Sequence, residues 1–467
     1  MVDALRRQRR IAGIAVFAGL VLAGLAPAQV PAALSLRQAV AEALRHSPRL
    51  RAAAANQDQA QAGVAAARAG RLPRLDLDEG FTRSNNPVAV FGTLLSQQRF
   101  TAADFALPAL NQPAPLNNFQ TRLTASVPLF DARQAQLRVR EAKLGVNLAG
   151  SASEQARQGV LSAVISAFYR LSASQAALQV AQSATTAATA GLKMAEARYR
   201  AGLVVDSDRL SAEVYSANAQ EQLVAARNDV SVASAALNRE LGRPLDAPLA
   251  IAATLPTTAP SAPPAAPAAL PSLVSDARRL RPELRQQQDR LAIAQSEVTR
   301  TRAAFLPVVD GFASWERDQL HFSNTGASNW TVGLSLHLNL FRGGADRAAA
   351  SAAVAQKLAA QAQLDDLHAA VDLQVRQAWF AVSTAAQQLQ LARSVVSQAA
   401  AALQIVQNRY NSGLATISDL LRTQTELTRA RTQLVQAAYD LQVSRANRDL
   451  AVGTLTAQSP VVAHPGN

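Results

Sequence analysis

Residues 198–208 read RYRAGLVVDSD, and residues 409–419 read RYNSGLATISD. Each places a glycine just after Arg-Tyr, a leucine after the glycine, and Ser-Asp close behind. A glycine at the end of a helical stretch takes the positive φ of a tight turn at little cost. The residues before each glycine are long runs with the character of helix. Ala345 to Ser412 holds neither glycine nor proline, and uninterrupted it would form a helix about 100 Å long. The two stretches therefore read as the tips of two long helical hairpins.

Outward from these tips the whole chain repeats. At an offset of 211, Phe130 pairs with Phe341, Tyr169 with Phe380, Tyr199 with Tyr410, Gly202 with Gly413, Asp208 with Asp419 and Gly242 with Gly453. Nearer the start of each copy the offset is 234, pairing Pro48 with Pro282, Pro73 with Pro307, Asp76 with Asp310 and Phe81 with Trp315. The first copy thus carries 23 extra residues between its Pro73 and Phe130. Agreement in order over so many positions marks an internal duplication. The sequence predicts repeats over residues 29–243 and 272–455, a Pro/Ala-rich extended linker over 244–271 and a loose tail over 456–467.

Each copy reads helix, strand, strand, long helix, helix. The helices near 36–72 and 206–241 are each about half as long as the helix over 132–200, so end to end they would flank it. Leu420, Leu427, Leu434 and Leu441 recur every seven residues, as do Leu223, Val230 and Leu237. Sevenfold spacing is the mark of coiled-coil packing. Composition agrees: 49% of residues are hydrophobic but only 4% aromatic, and the alanine-rich helices permit close approach.

The short segments alternate with period two. Trp330, Val332, Leu334, Leu336, Leu338 and Leu340 interleave with Thr331, Gly333, Ser335, His337 and Asn339. Leu123, Ala125, Val127 and Leu129 alternate likewise, and less regular strands fall near 74–84 and 308–318. About ten alternating residues is the length of a tilted transmembrane strand. Four strands in lipid leave two unpaired edges, which the bilayer forbids. A membrane sheet here must be completed by other copies, and three chains would supply twelve strands.

Residues 6–10 are arginine-rich, Ile11 to Leu25 is apolar, and Ala26-Pro27-Ala28 offers a cleavage site. This is the order of an export signal over residues 1–28. There is no cysteine, which excludes disulfides and an acylated N-terminal cysteine. The five histidines are scattered, so no metal site is expected. The formal charge of +13 comes from arginines spread along helices among acids, not from a nucleic-acid-binding patch. No phosphate loop and no nucleophile elbow is present, so neither an enzyme nor a cofactor is expected.

The pattern resembles the TolC family of outer-membrane channels over about residues 34–455. The resemblance rests on the duplicated layout, the Pro48/Pro73 and Pro282/Pro307 pairs, and Val127-Pro-Leu-Phe130 with Leu338-Asn-Leu-Phe341-Arg-Gly-Gly344. The two tip phrases, Asn238-Arg-Glu-Leu-Gly242 and the first outer loop from Asn86-Pro-Val-Ala-Val-Phe91-Gly to Asn118-Phe119 complete it. It implies a homotrimer with a twelve-stranded β-barrel in outer-membrane lipid above an α-helical coiled-coil barrel. It also implies docking to a periplasmic adaptor and an inner-membrane transporter, with no energy source in the channel itself. Small-molecule efflux is the main functional expectation and type I protein secretion the alternative. A soluble periplasmic coiled-coil adaptor is a remote third, since no lipoyl-like halves are found.

By the same resemblance, Tyr410 and Asp208 match positions in the periplasmic lock, with Tyr199 beside the equivalent first turn. Asp419 matches an acid ringing the aperture. Gly202, Leu203, Gly413 and Leu414 fall where the adaptor's hairpin tips would meet the channel. Two positions depart from the family pattern: Ala415 stands where a lock arginine is usual, and Arg422 where a second aperture acid is usual. Asp419 and Arg422 are three apart on one helix face and able to pair. The same residues also have a structural reading: Asp208 and Asp419 as helix caps, Tyr199 and Tyr410 as coiled-coil packing, Leu203 and Leu414 as plain packing.

Overall fold

The computed structural model describes residues 33–252, 255, 269–322 and 326–463. The export signal expected over residues 1–28 and most of the linker lie outside the described residues.

Two helices of 67 residues each, α5 (Gln134–Arg200) and α9 (Ala345–Asn411), form the long axis of the two repeats. Each turns back into a helix of 36 residues, α6 (Asp206–Leu241) and α10 (Ile417–Val452). Shorter segments precede them: α1 (Leu36–His46) with α2 (Pro48–Ala69), and α7 (Leu270–Leu280) with α8 (Pro282–Ala303). The single helix expected near 36–72 is thus two. Pro48 lacks a backbone N–H and disfavours helical φ/ψ at Ser47, so the chain breaks there and restarts with proline at the first turn. Pro282 does the same in the second repeat.

α2 and α6 both flank α5, and α8 and α10 both flank α9, with α5 also touching α8 and α10. The two shorter helices therefore share the length of the long one. At the joint, Gly242 (φ +76°) closes α6 against the backbone of His46, and Gly453 (φ +81°) closes α10 against Leu280 and Arg281. Arg243 grips Glu42 with two hydrogen bonds of 2.6 Å, tying the end of α6 to α1.

The core is a belt at this joint. Val160, Leu161, Val164, Ile165, Phe168 and Tyr169 of α5 are all buried there, against residues of α1, α6 and α10. Burial pushes the Tyr169 hydroxyl up to about 12. Nearer the tip, α5 buries only Ala181, Ala188 and Ala195, at a strict interval of seven. That is close helix approach through small side chains.

The tail differs from expectation. Val461 and Val462 of the tail join the belt, as do Leu455 at the end of the second repeat and Leu255 of the linker. Residues Pro460–Ala463 form a short helix, α11, rather than a loose end. The linker also begins ordered: Leu34 and Ile251 form a parallel bridge, and the Asn238 amide donates to the carbonyls of Leu245 and Ala247.

Four strands, β1 (Arg74–Ser84), β2 (Leu116–Phe130), β3 (Val308–Gln319) and β4 (Ala327–His337), form one antiparallel sheet in chain order. β4 stops at His337, so Leu338 and Leu340 continue the alternation beyond the strand. The 23 extra residues of the first copy lie between β1 and β2. They hold α3 (Pro87–Ser96), a 3-10 turn at Ala102–Phe105 and α4 (Leu107–Asn111). No helix among the described residues is long and apolar enough to cross a membrane.

Candidate functional site

The molecule has two ends at which function can reside: the open sheet and the helix tips. At the sheet, strand register sorts the central side chains by polarity, with Phe312 set on the polar face against Gly333 and the Glu79, Thr121 and Arg317 row capping the apolar face. Leu77 pairs with Leu123, Leu123 with Trp315, and Trp315 with Trp330, all on one face. Leu75, Ala125, Ala313 and Val332 form the next row inward. On this face Leu77 is 70% exposed and Trp330 76%. Water would not leave such a band bare on a stable soluble monomer. The other face carries Asp78, Arg122, Glu316 and Asn329 in one row and Asp76, Thr124, Ser314 and Thr331 in the next. One face is suited to lipid and the other to water, and the outer edges of β1 and β4 have no partner strand among the described residues.

At the tips, each long helix ends in the same hydrogen-bonded turn. Leu203 N–H donates to the Arg198 carbonyl (2.9 Å) and Gly202 N–H to that of Tyr199 (2.9 Å). Leu414 and Gly413 repeat this on Arg409 (2.7 Å) and Tyr410 (3.1 Å). Gly202 and Gly413 have φ of +69° and +74°, as this cap requires. Leu203 and Leu414 stand bare at the two apices, 73% and 69% exposed. Packing within the chain does not account for them.

The tyrosines part company. Tyr410 is buried with Ile417 and Leu420, while Tyr199 is 42% exposed. The Arg198 guanidinium lies 4.5 Å from the centre of the Tyr410 ring, a cation–π contact from the first hairpin to the second. Arg209 stands 5.7 Å from the Tyr199 ring and is itself held by Asp206 (2.7 Å) and Glu213 (3.0 Å). Among the described residues no hydrogen bond joins Tyr410 to Asp208. Asp208 sits in the first turn of α6, where its backbone N–H bonds the Val205 carbonyl. The N-cap of α6 is Val205, and no side chain caps this helix.

Asp419 combines two of the expected roles. Its carboxylate accepts from the Thr416 hydroxyl (2.8 Å) in a reciprocal capping box. Its other oxygen accepts from Arg422 at 3.1 Å. Hydrogen bonds from the Thr416 hydroxyl and backbone, with Arg422 and Arg409 nearby, hold the Asp419 carboxyl below its ordinary range. The tip of the second hairpin therefore carries an internally paired charge.

Arg198 is the residue that sequence reading missed. Its signal was present, since an arginine precedes the tyrosine in both copies. Yet Arg409 donates to the carbonyl of Leu414 in its own turn, and only Arg198 crosses. Tyr215 was missed as well. It links α6 to α10 through Thr425 and Thr428, and burial pushes its hydroxyl up despite those bonds. No cluster of three or more metal-ligating side chains exists among the described residues.

A family model described as outer membrane efflux protein matches residues 39–243 and 273–454. The alkaline protease secretion protein AprF of Pseudomonas aeruginosa is 26% identical, over 91% of this chain and 85% of its own. Outer membrane protein TolC of Escherichia coli is 23% identical, over 95% of this chain and 86% of its own. Among solved structures, outer membrane protein VceC of Vibrio cholerae superposes with a TM-score of 0.72 at 21% identity, covering 90% of this chain and 96% of that one.

Proposed function

The chain belongs to the outer membrane efflux protein family, and from that membership we propose how it conducts cargo. Three copies close their sheets edge to edge into one twelve-stranded barrel in the outer membrane, and their helical hairpins form a coaxial tunnel in the periplasm. The carrying observation is the four-stranded sheet with one apolar and one polar face and two unpaired edges. In lipid those edges need partners, and closure with further copies provides them.

Aromatic residues near both ends of the apolar face suit the two membrane interfaces. Trp315 and Trp330 lie toward the outer end, and Phe130 lies at the inner end, 49% exposed. The inner end of the tunnel closes at the tips. Arg198 over Tyr410 holds the two hairpins of one chain together. Asp208, Tyr199 and the Asp419–Arg422 pair would each form a ring of three. Because Arg422 neutralises Asp419 in place, the aperture has mixed charge and attracts cations weakly. The bare Leu203 and Leu414, with Gly202 and Gly413, form the surface for a periplasmic adaptor's helical tips. The adaptor joins the duct to an inner-membrane transporter, which supplies the energy.

Small-molecule efflux is the primary reading. Protein secretion through the same duct is the second, favoured by the similarity to AprF, an alkaline protease secretion protein. The test of the channel architecture is the protein mass of the chain extracted from outer membranes in mild detergent. A stable mass of three chains is expected. A monodisperse monomer that stays in solution without detergent would overturn the reading, because one open sheet cannot satisfy its edges in lipid.

A further inference from the structure

We propose that the first outer loop, residues 85–115, folds into the mouth of the barrel as a second constriction that limits the size of what leaves the duct. The inference rests on the reading of the polar sheet face as the duct wall. Register carries the argument. Asn118, Gln120, Asp318 and Asn329 all lie on the polar face, since Gln120 pairs with Asp318, Arg122 with Glu316, and Glu316 with Asn329. The loop is fastened to these side chains. The Asn329 amide donates to the Ser96 carbonyl at 3.2 Å. The Gln97 amide donates to Asn118 Oδ1 and to the Asn117 carbonyl, both at 2.9 Å. The Asn118 amide in turn donates to Asp318 Oδ1 at 2.6 Å, joined there by Gln120 at 3.2 Å. The end of α3 therefore stands over the wall at the outer end of β2, β3 and β4, on the side facing the duct.

The anchor is buried. Gln97 is 5% exposed and Asp318 only 1%. A carboxylate on a water-filled wall would be hydrated at no cost; covering it costs free energy unless hydrogen bonds replace the water. The amides of Asn118 and Gln120 supply that replacement at Asp318 Oδ1, and Gln97 of the loop in turn holds Asn118. A loop that rose clear of the barrel would leave Gln97 and Asn329 without these partners.

The loop is also built as a solid piece. Asn86 caps α3 by accepting from Val88 N–H (3.0 Å) and Ala89 N–H (3.2 Å). Phe91, Phe100 and Phe105 stack edge to face, with centroids 4.9 and 5.0 Å apart. The equivalent connection of the second repeat, residues 320–326, is far shorter. So the constriction belongs to the first repeat alone, and three copies would meet around one axis. Val88 and Leu107, 82% and 73% exposed on the loop, give those copies apolar surface to share.

The chain has no cysteine, which makes the test clean. Thr331→Cys puts one thiol on the polar face, one step inward of Asn329. Intact cells are treated from outside with a small impermeant maleimide and with a polymer-conjugated one, and the trimer is recovered from outer membranes. With the loop intact, the large reagent reacts slowly. Replacing residues 87–113 by a short Gly/Ser link makes it react several-fold faster, and so does Gln97→Ala with Asn329→Ala, which frees the anchor without deleting the loop. Equal rates for the large reagent in all three proteins, with the small one reacting readily, would sink the constriction and leave the duct standing. No reaction with either reagent in any variant would overturn both, because the polar face would then not line an outward-open passage.

Discussion

Arg198 and Arg409 precede tyrosines at equivalent points of the two repeats, but only Arg198 reaches across to the other hairpin, over Tyr410. A cation over a buried ring contributes about 1 kcal/mol, toward ~2 when desolvated. Such a link needs the ring face and not the hydroxyl. Arg198→Ala is therefore expected to raise the open probability of single channels in planar bilayers about fivefold, the effect of ~1 kcal/mol. Tyr410→Phe should stay near the wild-type level. If Tyr410→Phe opens the channel as far as Arg198→Ala does, the hydroxyl holds the tip and the cation–π account is wrong. A second residue-scale effect is tied to pH. The hydrogen bonds from Arg243, and its charge, hold the Glu42 carboxyl below its ordinary 4.5. A lowered folded-state value means the pair's contribution is complete above about 4.5 and disappears as the pH falls through the lowered value. Glu42→Gln should cost about 1 kcal/mol of stability at neutral pH. In thermal denaturation across pH, the gap to wild type should close once the solution is more acidic than that value.

At the scale of elements, glycine does different work in different places. Gly453 has φ +81° and a Cβ there would lie 3.2 Å from the backbone of Leu280 and Arg281. Gly63, in the middle of α2, has nothing within 4 Å. Gly453→Ala should destabilise by about 1–2 kcal/mol from the left-handed backbone alone, and more from the contact. Gly63→Ala should stabilise by about 0.5–1 kcal/mol. Melting temperatures of the two variants in the same detergent check the opposite signs. Periodic elements were the readily legible part of the chain. The strands near 74–84 and 308–318, the 67-residue helices and the tip turns all follow from breakers and repeats within short windows. The tail was not legible. Val461 and Val462 form one turn of helix packed into the belt, against α10 just before it and against α1, more than four hundred residues away in sequence.

At the scale of the molecule, α9 leaves Leu358, Leu373, Phe380 and Leu391 between 55% and 66% exposed. Their spacings of fifteen, seven and eleven are all near whole turns, so they form one stripe down the helix. A stripe of this length on a periplasmic column suits burial against a neighbouring copy. In the proposed trimer, Phe380→Asp at its middle should shift the detergent-extracted mass from three chains toward one while leaving far-ultraviolet circular dichroism unchanged. Retention of the full trimer would place the intermolecular contact on another face.

The sequence by itself determined the duplication, the two long helices with their tip turns, and the alternation of the strands. These are periodic or local properties, and each is written in a window the length of the element. Only the tertiary structure decided which of two equivalent arginines crosses to Tyr410, on which face of the sheet the first outer loop is fastened, and that the tail completes the belt. The two arginines stand in near-identical local sequence, and neither the loop nor the tail carries a periodic signal that names its partner. Each outcome depended on which distant segment the folded chain brought within reach.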